Sequence, residues 1–185
     1  DKFTVLDIPF IVLHLTSGWS AKELPLVTFG EVFKYLHLSG IKYLIIGDNK
    51  DKIRIQEISN IIDDETIKPE KYFVKLKLSQ SAELIKRSKL LIGSDSAPLH
   101  MAGAFNISSI GLFGPTNPGF SNPVGTNHRI IYHKLHCSAS DDNQYCTRNG
   151  GFACPLYECM NSISSTELIS LINELYPVNE RFANE

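Results

Sequence analysis

An apolar run that closes in a glycine and then turns into a helix start constrains this chain more than any other stretch. It reads Leu90-Leu91-Ile92-Gly93-Ser94-Asp95-Ser96-Ala97-Pro98-Leu99-His100-Met101-Ala102. The run 90–92 has the composition of a buried strand that ends at Gly93. Asp95 and Ser96 are N-cap residue types, and Pro98 suits a first helical turn. The spacing then predicts a helix running toward Phe105, with His100 one turn in. Strand, tight turn and helix N-terminus bring unpaired backbone N–H groups and a positive dipole end to one place, which is a seat for an anion. A second apolar strand, 109–113, stops at Gly114-Pro115-Thr116-Asn117-Pro118. Two strand ends thus deliver polar, sharply turning loops to one edge, the edge where ligands bind in open α/β sheets.

The same alternation recurs upstream. An apolar strand at 10–13 opens into a loop, 14–25, of hydroxyls, glycine, Trp19 and Lys22. Trp19 can stack on a ligand or pack under the loop. Phe29, Val32, Phe33, Leu36 and Leu38 carry helical spacing that ends near Gly40. A buried strand at 43–47 leads into Asp48-Asn49-Lys50-Asp51 and a helix bearing Ile53, Ile55, Ile58, Ile61 and Ile62. Residues 72–78 alternate as a strand, and a helix capped by Ser79 or Ser81 follows and ends by Lys89. Strand, helix, strand in repetition calls for a parallel sheet with right-handed crossovers, a Rossmann-like layer.

With 185 residues the chain suits one domain with a real core. A net charge of −2 supplies no field that would attract nucleic acid or an anionic membrane. No apolar run is long enough to span a bilayer and no signal peptide is visible. The first residue is Asp, so the numbering is expected to describe part of a longer chain.

Beyond Pro118 the pattern loosens into a loop at 119–127 and a short strand at 129–132. All four cysteines then fall in one irregular segment: Cys137, Cys146, Cys154 and Cys159, spaced C-x8-C-x7-C-x4-C. Four thiols can hold Zn or Fe tetrahedrally, with His133 or His136 standing in for one of them. The spacing lacks a C-x2-C knuckle. Reduced thiols packed on the domain are the second reading, and disulfides, which need an oxidising compartment, the third. A final helix, 164–175, turns Leu168, Ile169, Leu171, Ile172 and Leu175 inward.

Residues 93–118 resemble the C-terminal donor domain of family 9 glycosyltransferases, the ADP-heptose heptosyltransferases. Gly93, Asp95, Ser96, His100 and Ala102 match one block, and Phe113, Gly114, Pro115, Thr116 and Pro118 the next. Ala97 stands where the family has Gly, which costs about 1 kcal/mol only if the backbone there needs a positive φ. Ala21, Lys22 and Pro25 match the end of the first loop, with Leu24 in place of a Trp. Cys154-Pro155 and Cys159-Met160 resemble a Cys-Pro…Cys-Met element. The likeness runs from about Ile11 to Leu175 and covers half of the family's architecture.

That resemblance implies a fold and a task. The fold is one half of a GT-B enzyme, a Rossmann-like parallel sheet flanked by helices. The domain spans 10–176 and includes the Cys-containing segment 133–163; a lead-in, 1–9, precedes it and a tail, 177–185, follows. The task is inverting transfer of heptose from an ADP-sugar donor to a bacterial glycan or lipopolysaccharide acceptor, with no cofactor required. The acceptor, and the base that deprotonates it, belong to an N-terminal acceptor-binding domain absent from this chain. By the same likeness Thr16, Ser17 and Lys22 face the donor phosphates. Asp51, or failing it Asp48, binds the ribose. Lys22 and the N–H groups of Ser96 and Ala97, at a turn shaped by Pro98, neutralise the departing diphosphate. Asp95 repels phosphate and so caps the helix or bonds a sugar hydroxyl. His100 orients the loop or a phosphate, or is a core histidine. The implied location is the bacterial cytoplasm, at the inner face of the membrane through the acceptor. A nucleotide-sugar-binding module without transferase activity, and a GT-B-like epimerase or hydrolase, are the alternatives.

Overall fold

The computed structural model describes residues 8–177. Residues 1–7 of the expected lead-in and 178–185 of the expected tail lie outside the described residues. Six parallel strands form one sheet: β1 (Ile11–His14), β2 (Tyr43–Gly47), β3 (Lys71–Val74), β4 (Leu90–Ser94), β5 (Ser108–Phe113) and β6 (His128–Tyr132). Their order is β3-β2-β1-β4-β5-β6. The chain winds outward from β1 in one direction and then restarts at β4 in the other. The sheet therefore has a switch point between β1 and β4, where the loops leaving their C-terminal ends part and open a crevice.

Both faces of the inner strands are buried, which is why they read as unbroken apolar runs rather than alternating ones. Ile11, Leu13, Ile45 and Ile92 face a core completed by α1 (Leu26–Leu38), α2 (Asn49–Ile62) and α7 (Ser165–Leu175), through Phe29, Phe33, Ile58, Leu168 and Ile172. Phe10, Val12, Leu44, Ile46 and Leu91 face the opposite core, closed by Leu84 and Ile85 of α3 (Leu78–Arg87) and Leu99 and Ala102 of α4 (Ala97–Ala104). Each such fully buried side chain contributes roughly 1.5–3 kcal/mol. The period-two split between the two cores fixes the register of every central strand.

Three details differ from the sequence reading. The edge strand β3 is short because Lys75 takes a left-handed φ of 56° and turns the chain. The helix after it is capped at Lys77 rather than at Ser79 or Ser81: the Lys77 N–H donates to Gln80 Oε1 at 2.9 Å. The loop after β5 begins with a single helical turn, α5 (Pro118–Ser121), capped by the Asn117 side chain. The cysteine segment is irregular, as its composition suggests, apart from a 3-10 turn at Asn149–Gly151 and α6 (Glu158–Asn161). It is pinned to the loop after β5 by backbone pairs. Cys146 N–H donates to Pro115 O and Asn117 N–H to Gln144 O, both at 2.9 Å.

Candidate active site at the switch point

A cleft of about 290 Å³ lies at the C-terminal ends of β1, β2 and β4. His14, Thr16, Ser17 and Gly18 line it from the first loop, Gly47 and Asp48 from the β2–α2 turn, and Ser96, Ala97 and Pro98 from the start of α4. The α4 side is open. Ser96 occupies the N-cap, but its hydroxyl makes no cap bond; it bonds Ser94 O at 3.1 Å and lies 3.2 Å from His14 Nδ1. In the first turn Pro98 has no N–H and the Leu99 N–H bonds Ser96 O at 3.0 Å, so the Ala97 amide is the one left without a carbonyl of the helix to bond. Ala97 lines the cleft, at the positive end of the helix dipole. Ala97 has helical backbone, so the absence of glycine there costs nothing.

Asp51, the candidate for a ribose, does not line the cleft. It is 1% exposed. Its carboxylate accepts from Thr16 N–H at 3.0 Å, Thr16 Oγ1 at 2.7 Å and Asp48 N–H at 2.8 Å. It is a buried clamp that ties the first loop to the N-terminus of α2, and Asp48 is the carboxylate on the cleft. Gly47 is required by that clamp, because a Cβ there would lie 1.9 Å from Asp51 Oδ2. Thr16 and Ser17 border the cleft, yet their hydroxyl hydrogens are committed, to Asp51 and to Trp19 O at 2.6 Å respectively. Each can accept a bond there, but a phosphate oxygen needs a donor.

Lys22 and Asp95 form one unit beside the cleft. The Lys22 ammonium, on a side chain 13% exposed, donates to Asp95 Oδ2 at 2.8 Å and to Asp95 O at 3.1 Å. It also lies 4.9 Å from the centre of the Trp19 ring. His100 Nε2 stands 3.6 Å from the other Asp95 oxygen, and His100 is half-exposed rather than a core histidine. Asp95 thus lies between the Lys22 ammonium and the His100 ring. It binds Lys22 instead of capping α4.

The sequence reading passed over His14. Burial lowers its pKa below the ordinary value, against the opposing pull of Asp51 and Asp48. At neutral pH it is an uncharged imidazole on the cleft wall. Its place at the last position of β1, opposite Gly93, was the only available signal.

The four cysteines do gather. All line one small cavity beneath Ala21, Gly114 and Pro115. Among the described residues, however, no three His, Cys, Asp or Glu side chains are arranged to hold a metal ion. The expected ligand set is therefore not formed. Burial, with smaller contributions from the other three cysteines, pushes the Cys159 thiol up to about 11. Cys154 Sγ accepts from Tyr157 N–H at 3.3 Å, and the cationic Arg148 shares the cavity wall. The four side chains pack around this cavity as small apolar groups. No disulfide links them.

Trp19 packs within the protein. It stacks on Phe152 at 4.9 Å between ring centres and meets Tyr145 edge-on at 5.7 Å. Gly150, at φ 62°, makes room for it, since a Cβ there would lie 2.5 Å from the indole. No helix of the described residues is long and apolar enough to cross a membrane.

Comparison with known proteins places this geometry. The sequence model of glycosyltransferase family 9 (heptosyltransferase) matches residues 1–149. Lipopolysaccharide heptosyltransferase 2 of Escherichia coli K12 is 29% identical over 121 residues, 62% of this chain and 35% of that protein. Among solved structures, the E. coli ADP-heptose lipopolysaccharide heptosyltransferase II superposes with a TM-score of 0.75 at 22% identity, over 94% of this chain and 48% of that one. The E. coli heptosyltransferase WaaC with ADP does so with a TM-score of 0.66 at 17% identity, over 91% and 46%. The chain spans about half the length of those structures. Six parallel strands, a switch-point cleft and the matched blocks around Asp95 and Thr116 lead to one assignment: the chain belongs to glycosyltransferase family 9, the heptosyltransferases.

Proposed function

We propose that this chain is the donor-binding half of an inverting heptosyltransferase that takes an ADP-sugar, with lipopolysaccharide or a related bacterial glycan as the acceptor. The observation that carries the reading is the open N-terminus of α4 on the switch-point cleft. An anionic diphosphate is the group such a helix end favours, and a family relative of like fold was solved with ADP. A cleft of about 290 Å³ is small for a whole nucleotide sugar. This supports a site completed by a second, acceptor-binding domain.

In the reaction an acceptor oxygen attacks the anomeric carbon as the C–O bond to the diphosphate breaks. Negative charge grows on the departing β-phosphate. The Ser96 and Ala97 amides stabilise it, preorganised by the helix they begin. Lys22 acts through Asp95: it neutralises that carboxylate and holds its carbonyl, so the turn presents amides rather than negative charge. Asp48 is the group that reaches a ribose hydroxyl. Deprotonation of the acceptor is assigned to the other domain, because Asp51 is sealed by three donors and Asp95 is paired. The chain alone is then inactive in transfer.

Calorimetric titration with ADP, UDP and GDP tests the reading. ADP is expected to bind with a dissociation constant no tighter than roughly micromolar, since half a cleft leaves the ligand exposed. No heat with ADP, or a preference for UDP, would refute it. Transfer by the isolated chain would instead overturn the placement of the base.

A further inference from the structure

Charge is not spread evenly over this chain. Residues 68–89 carry seven of its eighteen Lys and Arg but only two of its twenty Asp and Glu. The stretch is strongly basic inside a chain of net charge −2, and the remainder is acidic. It is also one continuous piece of structure: the edge strand β3, the left-handed turn at Lys75, and α3. All seven basic side chains are exposed. Among the described residues no carboxylate pairs with Lys75, Lys77, Lys86 or Arg87. Of the two acidic residues, Glu70 is taken up by Lys42 at 2.9 Å, and Glu83 is the one carboxylate of α3. Two large apolar side chains stand among these cations. Leu78 leaves 70% of its surface exposed and Tyr72 39%. Leu78 begins α3, and Lys86 follows roughly two turns on and about 80° around the helix, while Leu84 and Ile85 turn into the core.

We infer that the face made by β3, its turn and α3 is a docking surface for an anionic lipid bilayer. The chemistry on that face selects this occupant. Lysines along an edge strand discourage pairing with a strand of another chain. Unpaired Lys and Arg interleaved with an exposed Leu and Tyr suit a surface that lies on a membrane: the cations meet lipid phosphates while the apolar side chains enter the boundary below them. Nucleic acid would engage the cations but has no partner for Leu78. The acidic remainder of the chain is repelled by the same lipids, which orients the molecule on the bilayer. A whole-chain charge of −2 conceals this, because it averages two opposed surfaces. Leu76 and Ser81, from the same segment, line the switch-point cleft. Docking on this face therefore sets the mouth of the cleft beside the lipid headgroups, and it does so whether or not the donor reading holds.

The test is sedimentation of the whole chain with vesicles of phosphatidylcholine, either alone or with about one third phosphatidylglycerol. Binding is expected to be at least about tenfold tighter to the anionic vesicles and to weaken as salt rises. Lys75→Gln with Lys77→Gln, and separately Lys86→Gln with Arg87→Gln, should each weaken it about tenfold. Leu78→Ser should weaken it about fivefold. Lys52→Gln with Lys134→Gln removes two exposed cations from other faces and should leave binding within about twofold. The substituted side chains are exposed, so the variants should fold, and circular dichroism checks this. A variant that loses the vesicles and still shows the parent chain's heat with ADP supports the surface as a feature separate from the cleft. Equal binding to neutral and anionic vesicles would overturn the inference, as would Gln variants at positions 75–87 that bind like the parent chain. Double-stranded DNA held more tightly than the vesicles, with Leu78→Ser without effect, would make the face a general polyanion surface and the inference wrong.

Discussion

Two helix N-termini border the cleft, and they are finished in opposite ways. The start of α2 is closed by the protein's own carboxylates. Asp48 accepts from Lys50 N–H at 2.6 Å, and Asp51 accepts from Asp48 N–H and twice from Thr16. The start of α4 has an N-cap serine whose hydroxyl bonds backward to Ser94 O. Its nearby carboxylate, Asp95, is held by Lys22. Both ends carry the same dipole and the same kind of orphan amides. One is closed by carboxylates of the chain itself, and the other leaves the Ala97 amide without a side-chain acceptor. On the proposed function, a helix N-terminus serves a ligand where the protein withholds its own cap.

Breaking the closed end should have the largest effect. Asp51→Ala leaves three donors, two of them buried, without an acceptor and is expected to lower unfolding free energy by about 3–5 kcal/mol. Chemical denaturation measures this. The folded fraction should bind ADP with unchanged affinity. A stable Asp51→Ala protein that had lost ADP binding would return Asp51 to the ribose and erase the contrast between the two ends.

The open end should respond in the reverse way. Lys22→Ala exposes the seat to an Asp95 carboxylate without its ammonium partner and is expected to weaken ADP by about 1.5–3 kcal/mol, the range of a charge-assisted bond, with a loss of unfolding free energy smaller than that of Asp51→Ala because His100 still faces Asp95. Lys22→Ala with Asp95→Asn should recover part of that loss, because the repelling charge is gone. Without any recovery, Lys22 would be a direct phosphate ligand instead. A finer cut is Ala97→Pro. Proline fits the first helical turn, and the extended backbone of Ser96, φ −161° and ψ 169°, is compatible with a following proline. The substitution deletes one amide hydrogen and little else. It should cost about 1 kcal/mol of ADP affinity and leave the melting temperature within a degree or two.

These contrasts bear on what could be read from residue order. The doubly wound sheet was legible because strands buried on both faces are written as short apolar runs, each followed by a turn and a helix. The edge that carries the cleft followed from the same pattern around Gly93. Individual roles were less accessible. Asp51 and Asp48 are both plausible after a strand, and only the fold brings Thr16 against Asp51 across 35 residues of chain. Lys22 and Asp95 are 73 residues apart, so their pairing leaves no local trace. The cysteine spacing spoke of convergence, and the thiols do converge on one cavity, yet spacing says nothing of whether they take the arrangement a metal ion needs. His14 was invisible for another reason: a lone histidine at the end of an apolar strand has no motif around it.

The smallest expected effect concerns that histidine. Its pKa in the folded chain is lowered, first by burial, below the value near 6.5 of an unfolded chain. Between those two values the unfolded chain binds a proton that the folded chain refuses. Stability from this group is therefore complete above about pH 6.5 and is lost as pH falls through the lowered value. Ligand binding should carry the opposite sign. A diphosphate seated at α4, next to the Ser96 hydroxyl that lies by Nδ1, attracts positive charge and raises the His14 pKa toward or past its ordinary value. ADP affinity should then rise modestly as pH drops from 7.5 to about 6, while unliganded stability declines. Proton NMR of the His14 ring, assigned by His14→Gln, gives both pKa values directly. An ADP-induced upward shift would place the diphosphate at the open helix end. An unshifted His14 with ADP bound would move it elsewhere in the cleft, and the contrast between α2 and α4 would then concern folding alone.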